Sequence, residues 1–382
     1  MAATNRSGTR LITRAKIGTL WTTQWRRILP LPFFLLVTSG LIAPPAAKVT
    51  PYLITICDER SFVQALAQAG KDDTIQFGCS GTITIRHTMT VTQDITLNGS
   101  GQQVILSGDN SLQILIVNSG ASLSLSDLTL SGGQTNGLGG AIFNRGALST
   151  LRVTFSGNKH GIVNFGTLTA TDNTFADNLG DGIYNSGTLH VSGSLFARNA
   201  HGIDNASGEV TVSNSTFSAN HAPPSQIGGG IANGGTITIV NSTFSDNRAS
   251  GGGGALANRY QSKASLQNTI IANGGLDPNC FGTTFDFGHN LQYPGTTCGP
   301  TIPVADPKLM PLADNGGPTQ TMALADDSPA IGAGDATACR SDAVGGFDQR
   351  HAPRFSDSDL TCDIGAFESG AVAPTGTPTA NS

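Results

Sequence analysis

Between about residue 120 and residue 275 one phrase recurs, close to N-x-G-x-L-x-V-x-N-S-T-F-x-x-N-x-x-G-I-x-N, at steps of 20 to 27 residues. An aromatic column falls at Phe155, Phe175, Phe196, Phe217 and Phe244, with Leu130 before it and Ile271 after it. Seven residues upstream runs a second column, Leu123, Leu148, Leu168, Leu189, Val210, Ile237 and Ala264. An asparagine column reads Asn118, Asn144, Asn164, Asn185, Asn205, Asn233 and Asn258, and another Asn158, Asn178, Asn199, Asn220 and Asn247. A repeat of this length means a solenoid, because one unit cannot bury its apolar face without its neighbours.

Within a repeat, Thr167-Leu168-Thr169-Ala170-Thr171 and Thr236-Ile237-Thr238-Ile239-Val240 alternate at period two, as half-buried strands do. Asn-Ser-Gly, Asn-Gly-Gly and Gly-Asp-Gly between them supply residues that tolerate left-handed turns. No helical periodicity runs through this region. Stacked in parallel at ~4.8 Å per rung, phenylalanine meets phenylalanine and leucine meets leucine. An inward asparagine can donate its amide to the next asparagine, so a buried polar group stays satisfied; the competing use is an exposed turn. The longer steps place their extra residues at Ala222 to Gln226 and Ser250 to Gly254, as surface excursions. The expected fold is all-β, a right-handed parallel β-helix (solenoid) with a short N-terminal capping helix and a loop-rich C-terminal module.

The first 47 residues hold six of the 21 basic residues and none of the 26 acidic ones, leaving 15 against 26 in the remainder. Such an acidic chain does not suit nucleic acid, whose phosphates need a basic face. Arg26-Arg27, the apolar run Ile28 to Ala43 and the small residues ending at Ala47 read as a signal peptide over 1–47. An uncleaved anchor is the rival, though the run is short and contains Pro30 and Pro32. No span is expected in the mature chain. Six cysteines in a secreted chain suggest disulfides, and nearest-neighbour pairing joins Cys57 to Cys79, Cys280 to Cys298 and Cys339 to Cys362. Other connectivities remain open on spacing alone. Residues 48–111 then read as an N-terminal cap and first coils, with a helix opening at Ser61-Phe62-Val63-Gln64 as a capping box. The regular repeats run over 112–275, the C-terminal module over 276–369 and a flexible tail over 370–382.

Asp306-Pro307-Lys308-Leu309, Pro311 through Thr321 (PLADNGGPTQT), Ser328-Pro329-Ala330-Ile331, Asp348-Gln349-Arg350 and Cys362-Asp363-Ile364-Gly365-Ala366-Phe367-Glu368 carry a specific likeness. They resemble the choice-of-anchor Q module that ends many bacterial surface proteins of the pectate-lyase-like β-helix class. The coils resemble polymorphic outer-membrane-type repeats, and Cys57 through Phe77 resembles the N-terminal segment of the same proteins. Two positions depart from that pattern: Gly332 stands where the family usually has Asp, and His351 where it usually has Gly. The resemblance implies a secreted or cell-surface protein and no defined reaction.

Polysaccharide-cleaving β-helices align acidic residues in outward columns; inverting hydrolysis uses two carboxyls about 6.5–9.5 Å apart, and lyases commonly use carboxylates holding Ca²⁺. The best column here is His160, Asp181 and His201, continued by Gly229 and Gly253. It could bind a metal or shuttle protons, but any small polar residue suits an exposed turn before glycine, and that plainer use is preferred. A second column, Asp127, Arg152, Asp172, Gly193, Asn214, Asn241 and Asn268, suits a solvated rung edge. Asp314, Asp335, Asp348, Arg350 and Asp363 read as a network bracing the C-terminal module. The sequons at Asn214 and Asn241 follow from the repeat itself.

The expected role is therefore structural, adhesive or ligand-presenting, with no cofactor or metal and no catalytic residue assigned. The expected partner is a polysaccharide or cell-surface ligand, and the protein is expected to act as a monomer. A polysaccharide lyase or glycoside hydrolase is the alternative, resting on fold analogy. A carbohydrate-binding surface would need exposed aromatics in a row, for which Tyr184 and Tyr260 are the candidates.

Overall fold

A computed structural model describes residues 52–259, 261–272, 277–356 and 360–374. The signal peptide read over 1–47, the tail beyond 374 and Tyr260 lie outside the described residues.

The chain is a parallel β-solenoid with three sheets, each receiving one strand per coil. The coil around Phe175 shows the order: Ile162–Asn164, then Thr167–Thr171, then Thr174–Ala176. The strand Thr167–Thr171 belongs to a first sheet of 11 strands, Thr174–Ala176 to a second of 10, and Ile162–Asn164 to a third of 9. Pairing is parallel and in register, so Leu168 lies between Leu148 and Leu189, and Phe175 between Phe155 and Phe196. The five phenylalanine rings stack at 4.6 to 4.8 Å between centroids, with planes within 5° of each other. That spacing is the rung repeat itself, so backbone pairing and ring stacking impose the same distance.

The asparagines at the ends of third-sheet strands point inward and form a ladder. Each Nδ2 donates to the Oδ1 of the next, from Asn144 through Asn164, Asn185, Asn205 and Asn233 to Asn258, at 2.7 to 2.9 Å. Asn118 is not part of it, because Val117 takes the register position below Asn144. The other asparagine column is also internal: Asn158, Asn178, Asn199, Asn220 and Asn247 pair amide to amide at 2.8 to 3.1 Å. An amide carries donor and acceptor together, so it can repeat indefinitely where a carboxylate would repel its neighbour.

The turn after each first-sheet strand needs a positive φ, which explains its residues. Asp127, Arg152, Asp172, Gly193, Asn214, Asn241 and Asn268 all have φ between 44° and 60°. This column is not the solvated edge read from the sequence. Asp172, Asn214, Asn241 and Asn268 are buried, because the C-terminal segment runs back over them. Thr319 donates to the Gly193 carbonyl, Thr216 to Gln349 Oε1, and the Ala366 amide to Thr243 Oγ1. Asn214 donates to the Val344 and Phe347 carbonyls, and Asn241 to Cys339 Sγ, so neither sequon asparagine is free for a glycan.

Local boundaries also differ from the sequence reading. The helix α1 spans Glu59–Gln68 and is capped by Asp58, whose Oδ1 accepts from the Ser61 amide at 2.7 Å; an N-cap four residues before the first buried apolar residue, Phe62, takes the place read for Ser61. Phe62 of α1 packs on Phe77 and seals the first coil. The short strand Met89–Val91 carried too few residues to show a period. Cys280–Phe281, Phe285–Asp286 and Leu291–Tyr293 add another rung to the three sheets, so coil geometry continues past residue 276. The cysteines pair as Cys57–Cys79, Cys280–Cys298 and Cys339–Cys362.

Candidate functional site

Third-sheet strands read Ile-x-Asn, with the first and third residues inward, so only the middle residue faces out. In register, that outward column runs Phe143, Val163, Tyr184, Asp204, Ala232, Ala257 and Phe281. Phe165, just past its strand, is 44% exposed and lies 5.5 Å from the Phe143 ring and 6.1 Å from Tyr184. Arg145 lies over Phe143 at 4.8 Å. Three adjacent coils thus present a strip of aromatic side chains edged by a cation. Of the two aromatics that sequence pointed to, Tyr184 lies in this strip and Tyr260 is outside the described residues; Phe143 and Phe165 were hidden because one sits mid-strand and the other in a turn.

Further along the same face, Arg259 reaches back to Asp204, Nη1 to Oδ1 at 2.8 Å. Only alanines, Ala232 and Ala257, occupy the column between, which leaves its side chain room to lie across two coils. Beside Arg259 opens a cavity of about 820 Å³ lined by Ile227, Lys263, Phe281 and Phe285.

The column His160, Asp181 and His201 lies in the turn entering the third sheet and is not exposed. Asp181 and His201 are 6% and 3% exposed. Asp181 Oδ2 lies 3.1 Å from His160 Nδ1, and Oδ1 lies 2.7 Å from His201 Nδ1. Burial pushes the Asp181 carboxyl up, but the bonds and charges of the two imidazoles together outweigh it and hold the group low. Glycines make the room: a Cβ on Gly180 would sit 2.8 Å from the His160 ring. The next position in register after Gly229 is Gly254, not Gly253, since Ile231 pairs with Leu256. Asp204, which sequence did not single out, stands beside this ladder. Burial first, then the Asp181 charge, raise its pKa against the pull of Arg259.

One oxygen of Asp181 and one of Asp204 lie within 4.8 Å of one another. Asp181 is closed off by two imidazoles. The outer face of the first sheet carries Thr96, Ser124, Ser149, Thr169, His190, Thr211, Thr238 and Ser265 in one register column, without a carboxylate.

The remaining charges are structural. Asp348 binds Arg350, and a fully buried Arg354 binds Glu368 at 3.0 Å. The Asp363 carboxylate accepts from the Gly332 and Ser369 amides. Asp335 caps the short helix Ala336–Cys339 and receives Gln267, while Asp314 closes an exposed turn. Arg354 and Glu368 were not in the sequence-derived network. Asp127 receives a bidentate Arg152. His351 has φ 65° and places Nε2 3.0 Å from Asp172 Oδ2. A side chain at this φ costs about 1 kcal/mol relative to glycine, so the contact with Asp172 is what the departure from glycine obtains.

That contact predicts a pH effect. The hydrogen bond that His351 donates to Asp172 raises the His351 pKa above its ordinary value, with burial opposing. A raised folded pKa stabilises fully below the unfolded value and is lost as pH rises through the folded one. The Tm advantage of the wild type over His351→Gly should therefore shrink as pH is raised from about 6 to about 9. A difference that grows over that range would show that His351 is held for another reason.

Comparison with known proteins adds to this geometry. Residues 241–259 match the Chlamydia polymorphic membrane protein repeat. In this chain that stretch supplies Phe244 to the ring stack and Asn247 to the second amide ladder. No curated protein sequence matches the chain. Among solved structures, the crystal structure of pectate lyase Pel9A aligns over 84% of this chain and 97% of that one, with a TM-score of 0.48 and 14% identity. The chain is thus similar over residues 241–259 to a polymorphic membrane protein repeat, while its parallel β-helix architecture is read from its own strand register.

Proposed function

We propose that this is a secreted, surface-associated β-helix that presents a ligand-binding face, and that the ligand is a polysaccharide lying along the third sheet. The aromatic strip Phe143, Phe165 and Tyr184 carries this reading, because rings at successive rungs, tilted by 36° and 43° to one another, offer apolar faces to sugars. Arg145, Asp204 and Arg259 stand along it as polar partners for hydroxyls or carboxylates. Three disulfides suit an oxidising compartment, and the likeness to choice-of-anchor Q proteins and to the polymorphic membrane protein repeat supports a place at the cell surface.

The test is a polysaccharide array probed with the purified chain and scored for both retention and cleavage. The double variant Phe165→Ala/Tyr184→Ala should bind the retained polymer about tenfold more weakly, the loss of roughly 1.4 kcal/mol, with an unchanged melting temperature. Binding unaffected by that variant would remove the strip from the reading. Sustained polymer cleavage abolished by one substitution would favour the lyase or hydrolase instead.

A further inference from the structure

Departures from the regular coil gather at one place beside the third sheet. Residues 234–235 join Asn233 to Thr236, whereas residues 259–262 join their register partners Asn258 and Lys263. The longer turn stands out from the coil as a wall. One rung on, Phe281 and Phe285 pair with Ala257 and Ser265, so large rings stand where the preceding coil carries small outward residues. They are 49% and 48% exposed. Glycine makes room for the first: a Cβ on Gly253 would lie 3.0 Å from Phe281 Cβ. With Ile227, from the excursion that begins at Ala222, these groups bound the cavity of about 820 Å³ beside Arg259.

The charge of this cavity runs against that of the chain. Acidic residues outnumber basic ones 26 to 21, yet the described lining holds Arg259 and Lys263 and no carboxylate. Lys263 is exposed and makes no ion pair among the described residues. Arg259 uses only Nη1, on Asp204 Oδ1 at 2.8 Å, which leaves Nε and Nη2 without hydrogen bonds among the described residues. A concave space with an unpaired ammonium and the open edge of a guanidinium attracts an anion, and the guanidinium fork suits an oxyanion.

We propose that this cavity is a subsite for an anionic sugar residue, one carrying a carboxylate or a sulfate, so that the bound polysaccharide is an acidic one. The proposal rests on the reading of the third sheet as a polysaccharide-binding face. Phe281 belongs to the same outward column as Phe143 and Tyr184. It follows Tyr184 through Asp204, Ala232 and Ala257, roughly 19 Å on at ~4.8 Å per rung. The two alanines form a low floor between the aromatic strip and the cavity, so one polymer chain can rest on both. Phe281 and Phe285 offer rings to the C–H face of the sugar, and Gln261 and Thr283 add uncharged partners for its hydroxyls.

Binding of the full chain to immobilised polymers tests this. Alginate and hyaluronan carry carboxylates, dextran sulfate carries sulfates, dextran and hydroxyethylcellulose are neutral, and polyglutamate is an anionic chain without sugars. At least one acidic polysaccharide should bind about tenfold or more tighter than either neutral polymer, and the carboxylated and sulfated arms show which group is taken. Lys263→Ala and Arg259→Ala should each weaken that binding about tenfold, and Lys263→Glu by more. Because Lys263 is exposed, its variants should keep the wild-type melting temperature and read the site even where Arg259→Ala loosens the coil. Arg86→Ala removes an exposed cation of an early coil and should change nothing. Neutral polymers or polyglutamate bound as tightly as the acidic polysaccharides, or binding unchanged in Lys263→Glu, would overturn the subsite. Binding that survives Phe165→Ala/Tyr184→Ala but falls in Lys263→Glu would instead remove the strip and leave the subsite standing. No polymer bound tighter than about 1 mM would remove both.

Discussion

Phe196→Ala should lower the free energy of unfolding by about 3–5 kcal/mol. Phe196 is fully buried and sits midway in the ring stack, 4.7 Å from Phe175 and 4.6 Å from Phe217. The upper end of the range is expected because the site cannot collapse. Backbone pairing of Phe196 with Phe175 and Phe217 holds the rungs at their spacing, and the asparagine ladder holds the turn beside it, Asn220 donating to the Phe196 carbonyl at 2.9 Å. Rings above and below are gripped by their own coils and cannot tilt into the gap. Denaturant unfolding of the variant measures this. A loss below about 1 kcal/mol would mean the column is not a sealed stack.

Arg354→Met should cost a similar amount, about 3–5 kcal/mol, by leaving several buried acceptors, and at high pH a buried carboxylate, without their donor. The guanidinium donates to the Phe347 and Gly365 carbonyls, to Glu368 Oε2 and to Asn214 Oδ1 of a coil. It is therefore the pin between the C-terminal segment and the solenoid. Burial, then the nearby Asp363 charge, push the Glu368 pKa up to about 8 despite Arg354. A folded pKa above the unfolded value stabilises fully below the unfolded pKa and is lost as pH rises toward 8. The penalty of Arg354→Met should accordingly be smallest below about pH 8, where Glu368 holds a proton in both proteins, and grow as pH rises above it. Arg354→Met/Glu368→Leu should recover most of the loss, since a buried ion pair exchanged for apolar groups is often neutral. If the double variant is no better than the single one, the hydrogen bonds to the carbonyls and Asn214 matter more than the charge.

How much was legible in the sequence depended on whether a residue's role repeated. Phe175, Leu168 and Asn164 perform one job in every coil, so each left a column. Asn178 also left a column, but its direction did not show: an inward amide and an exposed turn amide have the same spacing. Its donation to the Phe155 carbonyl across a rung decides the matter. A third internal ladder escaped notice, in which amides at Asn173, Ser194 and Ser215 donate to hydroxyls of Ser194, Ser215 and Ser242. Serine is too common between strands to stand out.

The candidate site was half visible for the same reason. His160, Asp181 and His201 shared a column and were therefore found together, yet their burial was not readable. Asp204 lies in a different column and joins them only because a turn and a strand edge meet in space. Arg259 comes from two coils further on, across positions that happen to be alanine.

The solenoid and its repeating columns followed from the chain alone, since each rests on contacts one repeat apart, whereas the disulfide pairs were open on spacing and are fixed by the fold. Contacts spanning 120 residues or more, such as Arg354 with Asn214 and His351 with Asp172, were set only by folding. They turned a column with the composition of a wet edge into a dry seam. The physical reason is that periodicity reports which residues are neighbours along the stack, while burial depends on what the rest of the chain lays over them.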